Sequence, residues 1–204
     1  MDFSDYTAYK EYLKRFGSYN SRFSVLNDAN EKIKRVILKN EIEVNNTLSN
    51  LKYTTILEST NITKRADIIY VFACGPSTIV ARQIQLKLQL SNKYCEMYSD
   101  VNIIKTLTNK INKKSAVIFV SLNGETKQLV ETAKILHKRK INTITFTANP
   151  QGTINKYSNV LYIGYKSKKR FLPGYEVNSR LPLQIMARIF LDTYVVRFNI
   201  ENKN

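Results

Sequence analysis

Ser121, Asn123 and Thr126 place three small polar side chains around one glycine in the stretch Ser121-Leu122-Asn123-Gly124-Glu125-Thr126. Immediately before it runs the apolar segment Ser115 to Val120, whose length and composition predict a buried strand. A helix is expected from about Glu125. Strand, polar turn and helix start together put hydroxyl and amide groups beside the free N–H groups at the positive end of a helix dipole. That arrangement favours an anion. A second version lies upstream, where the apolar run Ile68 to Ala73 leads through Cys74-Gly75-Pro76-Ser77-Thr78 into a helical stretch from Ile79 to Leu90. By itself the upstream turn could be no more than a tight connection, because Gly and Pro serve that purpose in many folds. Two such turns in one sheet suit a phosphorylated small molecule.

A third group of residues, Pro173-Gly174-Tyr175-Glu176-Val177-Asn178-Ser179-Arg180, precedes the last helical stretch. Ser179 suits a helix N-cap. Glu176 and Arg180 are the candidates for chemistry there: a carboxylate accepts sugar hydroxyls or moves a proton, and a guanidinium holds a phosphate. The single histidine, His137, falls at a helix end before Lys138 and reads as a solvated C-terminal residue. Cys74 and Cys95 lack the CxxC spacing of a metal site and read as small buried hydrophobes of a reducing compartment. No metal, no cofactor and no catalytic residue is expected.

These turns have to be held by a scaffold, and the rest of the chain supplies a regular one. Strands are expected at 68–73, 94–98, 115–120, 143–147 and 160–163, with helices at 77–90, 101–110 and 125–138 between them and a last helix from about 181 to 198. Strands separated by helices of this length predict an α/β fold with a five-stranded parallel sheet and right-handed crossovers. Ahead of the sheet, Ile33, Val36, Ile37, Ile42, Val44 and Leu48 give a long amphipathic helix from about Asp28, followed by a second near Tyr53 to Asn61. Residues 1–27 differ from the remainder. Tyr6, Tyr9, Tyr12, Leu13 and Phe16 recur at helical spacing before a break at Gly17, in a piece too small to fold alone.

The 204 residues carry a net charge of +16. The excess sits in residues 101–204, which hold 18 Lys and Arg against 5 Asp and Glu, so it falls in the half containing the second polar turn. A solvated face, attraction of anionic ligands and direct nucleic-acid contact are the readings of that charge. No apolar run reaches the length needed to span a membrane, and the N-terminus lacks the apolar segment of a signal peptide, so a cytoplasmic location without membrane partners is expected.

The two turns in this order, followed by Ser179-Arg180 entering a long helix, resemble the SIS (sugar isomerase) domain family over about residues 40–198. The resemblance implies a flavodoxin-like three-layer sandwich for residues 28–204. It also implies a phosphorylated sugar as ligand, held by Gly75, Ser77, Ser121, Asn123, Gly124 and Thr126; Glu176 and Arg180, the candidates of the third group, are expected as further contacts. Two departures stand out. Asn123 occupies the place of the family's second serine, and Ala73 that of the first glycine in the first turn. Glu41 to Leu48, Tyr98-Ser99-Asp100 and Asn178-Ser179-Arg180-Leu181 resemble the RpiR-type transcription regulators within that family. The implied role is a sensor domain in a homodimer or tetramer that contacts DNA only through an N-terminal helix-turn-helix domain, of which residues 1–27 would be a residual tail or linker. The alternative is an aldose–ketose phosphosugar isomerase of the same fold, and a third is direct nucleic-acid binding by the basic half.

Overall fold

A computed structural model of the chain describes residues 25, 29–167 and 178–198. They divide into two compact units between Glu41 and Ile42. In the first, helix α1 (Glu31–Ser49) begins where the Asn30 side chain accepts the N–H groups of Lys32 and Ile33, an Asx N-cap, and it continues past the division. It starts three residues later than the apolar pattern suggests.

The second unit holds the sheet. Its elements run α2 (Tyr53–Arg65), β1 (Ile68–Ala73), α3 (Thr78–Leu90), β2 (Cys95–Tyr98), α4 (Val101–Thr108), β3 (Ser115–Val120), α5 (Lys127–Lys138), β4 (Asn142–Thr147), β5 (Val160–Ile163) and α6 (Leu181–Phe198). The five strands are all parallel, in the order β2-β1-β3-β4-β5. This is the five-stranded sheet expected from the alternation of elements. Central β3 is buried at all six positions, as a strand covered on both faces must be, and for that reason it reads as an unbroken apolar run.

One face of the sheet packs Ile69, Val71, Ile118, Phe146 and Tyr162 against α2, α3 and α6. The other packs Phe72, Val117 and Phe119 against α4 and α5. Tyr162 stacks on Phe146 with ring centroids 4.5 Å apart, and its hydroxyl pairs with Ser59 Oγ at 2.7 Å, which satisfies the polar tip of a buried ring. Two charged side chains fix the two ends of α4. Arg139, just past α5, donates to the carbonyls of Thr108 and Ile111 and so caps the C-terminal end of α4. Asp100 accepts the N–H groups of Asn102 and Ile103 at 2.8 and 3.0 Å and caps its N-terminal end. None of the described helices is long and apolar enough to cross a membrane.

Candidate functional site

The strand order reverses direction between β1 and β3, which lie side by side with Ala73 opposite Val120. The two polar turns therefore leave adjacent strands at the topological switch point, where a crevice forms beyond the carboxyl ends of an open parallel sheet. Gly75, Ser77, Ser121, Asn123, Gly124 and Thr126 are brought to the same sheet edge.

The second turn is held by its carbonyls. Leu122 O accepts from Ala148 N at 2.9 Å and from Thr147 Oγ1 at 3.2 Å. Asn123 O accepts from Asn149 Nδ2 at 2.9 Å, and Gly124 O from Ile154 N at 3.1 Å. All of these donors come from β4 or the segment after it. The turn's N–H groups are spent differently. Gly124 N donates to Ser121 Oγ at 3.2 Å inside the turn. Among the described residues no acceptor is found for the N–H of Asn123, Glu125 or Thr126. With its carbonyls engaged and its N–H groups open, this turn has the polarity of an anion cradle.

Gly124 is required in two ways. Its φ is +67°, and a Cβ there would lie 3.1 Å from Gly152 Cα and 3.1 Å from Ile154 Cγ2. Two backbones meet at Gly124 and Gly152, and that contact braces the turn.

The helix starts later than expected. Thr126 is the N-cap of α5, with extended backbone, and the first helical residue is Lys127. The Glu125 side chain turns away to the 3-10 turn Thr153–Tyr157, where its two carboxylate oxygens accept Thr153 N at 2.8 Å and Thr153 Oγ1 at 2.7 Å. The Thr153 hydroxyl, then its N–H, hold the Glu125 carboxyl below its usual range. The Thr126 hydroxyl makes no capping bond. An N-cap threonine ordinarily accepts an N–H two or three residues on. Here both the hydroxyl and the first N–H groups of α5 are left for something else.

The first turn is a single 3-10 turn, Gly75–Ser77, running straight into α3, with Pro76 where its missing N–H is harmless. Gly75 has φ +57° and no atom within 4 Å of where a Cβ would be, so its conformation and not its surroundings calls for glycine. Ser77 is buried and forms no capping bond. Cys74 is half-buried with Sγ 3.8 Å from Ser99 O, and burial raises its thiol pKa. Burial pushes the thiol of Cys95 up to about 12. Neither has the low-pKa environment of a reactive cysteine.

Of the third group, Glu176 lies outside the described residues. Arg180 is half-buried just before α6 and donates to Asn178 O, a local bond, while Ser179 Oγ accepts Leu181 N at 3.2 Å. His137 is exposed near the C-terminal end of α5, edge-on to Tyr157 and at the far end of that helix from the turn.

One further residue at the turn has no local mark in the sequence. The Lys166 ammonium donates to Asn123 Oδ1. Only the oxygen of an amide accepts, so this bond orients Asn123 and leaves its NH₂ as the open end.

The fold is one shared with known proteins. Residues 62–191 match the SIS domain family. The chain belongs to the SIS domain family. An uncharacterised HTH-type transcriptional regulator of Bacillus subtilis, YbbH, is 24% identical over 142 residues, covering 69% of this chain and 50% of YbbH. The chain thus spans about half the length of this curated relative. Among solved structures, the sugar isomerase domain of an RpiR transcription factor from Sphaerobacter thermophilus superposes with a TM-score of 0.75 at 16% identity, covering 82% of this chain and 92% of that one. The NanR protein of Vibrio vulnificus, complexed with ManNAc-6P, superposes with a TM-score of 0.75 at 15% identity, covering 86% of this chain and 66% of NanR. At such identities these structures speak to the SIS fold.

Proposed function

We propose that this SIS domain is the phosphosugar-sensing domain of an RpiR-type transcription regulator. The observation that carries the reading is the second turn, with its carbonyls engaged by the β4 side and its N–H groups, the Thr126 hydroxyl and the Asn123 NH₂ left open at the switch point. Phosphate oxygens are strong acceptors for such donors, and the N-terminus of α5 adds a favourable dipole. Gly75, Ser77, Ser121, Asn123, Gly124 and Thr126 are the residues assigned to the ligand, with Glu176 and Arg180 as further contacts from the segment before α6. The name of the Bacillus relative and the sugar phosphate in NanR support the same reading. Sensing then works by linkage: a phosphosugar that binds one arrangement of subunits better shifts the posture of the DNA-reading part of the protein. In this reading the assembly is a homodimer or tetramer in the cytoplasm, with residues 1–27 as a residual tail of a DNA-binding domain or a linker and the SIS domain at 28–204.

Isomerisation needs a group that carries a proton between neighbouring carbons. Among the described residues near the turn, Glu125 is tied to Thr153 and His137 is at the wrong end of α5; Glu176, the carboxylate suited to moving a proton, lies outside them. The experiment is calorimetric titration of the chain with ribose, glucose, glucosamine and N-acetylmannosamine phosphates, beside exchange of the C2 proton followed by NMR. Binding without exchange supports a sensor. Exchange would establish the isomerase instead.

A further inference from the structure

We propose that Lys166 is the cationic contact for the ligand's anionic group, and that Glu43 and Thr47 are the residues that position it. The proposal rests on the phosphosugar reading and adds three residues that the two turns do not contain.

Lys166 is half-buried, and its ammonium has a neutral partner, the Asn123 amide oxygen. Among the described residues no carboxylate lies within ion-pair distance of it. Most lysines escape to water, because a partly desolvated ammonium without a counter-charge is costly. This one leans onto the turn whose N–H groups are open. An anion bound there meets the backbone donors, the Asn123 NH₂ and the ammonium together, and supplies the charge that Lys166 lacks.

The backbone around Lys166 is pinned on both sides. Tyr165 N donates to Thr47 Oγ1 at 3.0 Å, and Ser167 N donates to Glu43 Oε1 at 3.1 Å. Glu43 and Thr47 are four residues apart on α1 and so share one face of the helix. Both are buried, Glu43 at 1% exposure. The other oxygen of Glu43, Oε2, is buried with no hydrogen-bond partner. A buried carboxylate that is only half satisfied is a poor source of stability, and an apolar side chain of similar size would usually serve the fold as well. What Glu43 does provide is a fixed acceptor for Ser167 N–H, one residue from the ammonium. Glu43 acts through Lys166 and does not itself need to touch the ligand.

The test uses the full chain and calorimetric titration with ribose 5-phosphate, glucose 6-phosphate, glucosamine 6-phosphate and N-acetylmannosamine 6-phosphate. For whichever phosphate the wild type binds best, Lys166→Gln is expected to weaken binding about 10- to 100-fold, the range for a lost hydrogen bond between charged groups. Lys166→Arg should recover part of it, and the weakening by Lys166→Gln should shrink as salt rises. Glu43→Leu should weaken binding at least about threefold while cooperative thermal unfolding is kept. The double variant should bind no more weakly than Lys166→Gln alone, because a positioning residue has nothing left to position. Equal affinity of wild type and Lys166→Gln overturns the proposal and leaves the phosphosugar reading standing. Additive losses in the double variant overturn the role of Glu43. A wild type that binds none of the four overturns both.

Discussion

At the scale of single residues, the two positive-φ glycines make contrasting demands. Gly124→Ala adds left-handed strain of about 1–2 kcal/mol. It also drives a methyl to within 3.1 Å of Gly152 Cα, a backbone atom that cannot rotate aside. Gly75→Ala has the strain and nothing to strike. Urea unfolding should therefore rank Gly124→Ala well below Gly75→Ala, with the second losing no more than about 1–2 kcal/mol. Equal losses would mean that the Gly124–Gly152 approach is not what holds the turn. Ser121 and Thr126 differ in a related way. The Ser121 hydroxyl already accepts Gly124 N–H, whereas the Thr126 hydroxyl caps nothing. Each of Ser121→Ala and Thr126→Val should weaken phosphosugar binding by about 1–3 kcal/mol, but only Ser121→Ala should also lower stability, by leaving the buried Gly124 N–H without its partner. Unchanged affinity in both variants would remove the site.

At the scale of elements, Glu125 links the start of α5 to the 3-10 turn at Thr153–Tyr157. Its folded-state pKa is depressed, first by the Thr153 hydroxyl and then by the Thr153 N–H. The sign follows: stabilisation is fully present above the ordinary carboxylate range and is lost as pH falls through the depressed value. The Thr153 amide should exchange slowly at neutral pH and faster, relative to its intrinsic rate, once Glu125 is protonated. A protection factor that stays flat through that titration would break the link. Arg139 makes a second such bond between elements, to the carbonyls of Thr108 and Ile111. Arg139→Ala leaves both without a cationic donor at the end of α4 and should cost about 1.5–3 kcal/mol in chemical denaturation.

Which of these features are legible in the sequence depends on the range of the interaction. The strands are readable because a parallel strand covered on both faces shows as an apolar run, as Ser115 to Val120 does. The turns are readable because their chemistry is local. The local pattern places the start of α5 two residues early, because the bond that takes Glu125 away comes from Thr153, 28 residues on. Lys166 is invisible for the same reason, being 43 residues from Asn123 and in a stretch of lysines that reads as ordinary solvated charge. The pinning of its backbone by Glu43 and Thr47 spans more than a hundred residues. No pattern in a single sequence announces such a contact.

On the proposed function, the molecule as a whole is a domain that reads a small anion. The lysines and arginines concentrated in residues 101–204 should speed the approach of that anion, with an association rate that falls as ionic strength rises. Any DNA affinity of this chain should be the salt-sensitive phosphate kind, without preference for one duplex over its scrambled control at about 150 mM salt. The most direct measurement of the central claim is an amide NMR titration with the phosphosugar that binds best, beside its unphosphorylated parent. The amides of Asn123, Gly124, Glu125, Thr126 and Lys127 are expected to show the largest shifts with the phosphate form and none with the parent sugar. Saturable binding that leaves those five amides unmoved would contradict that claim.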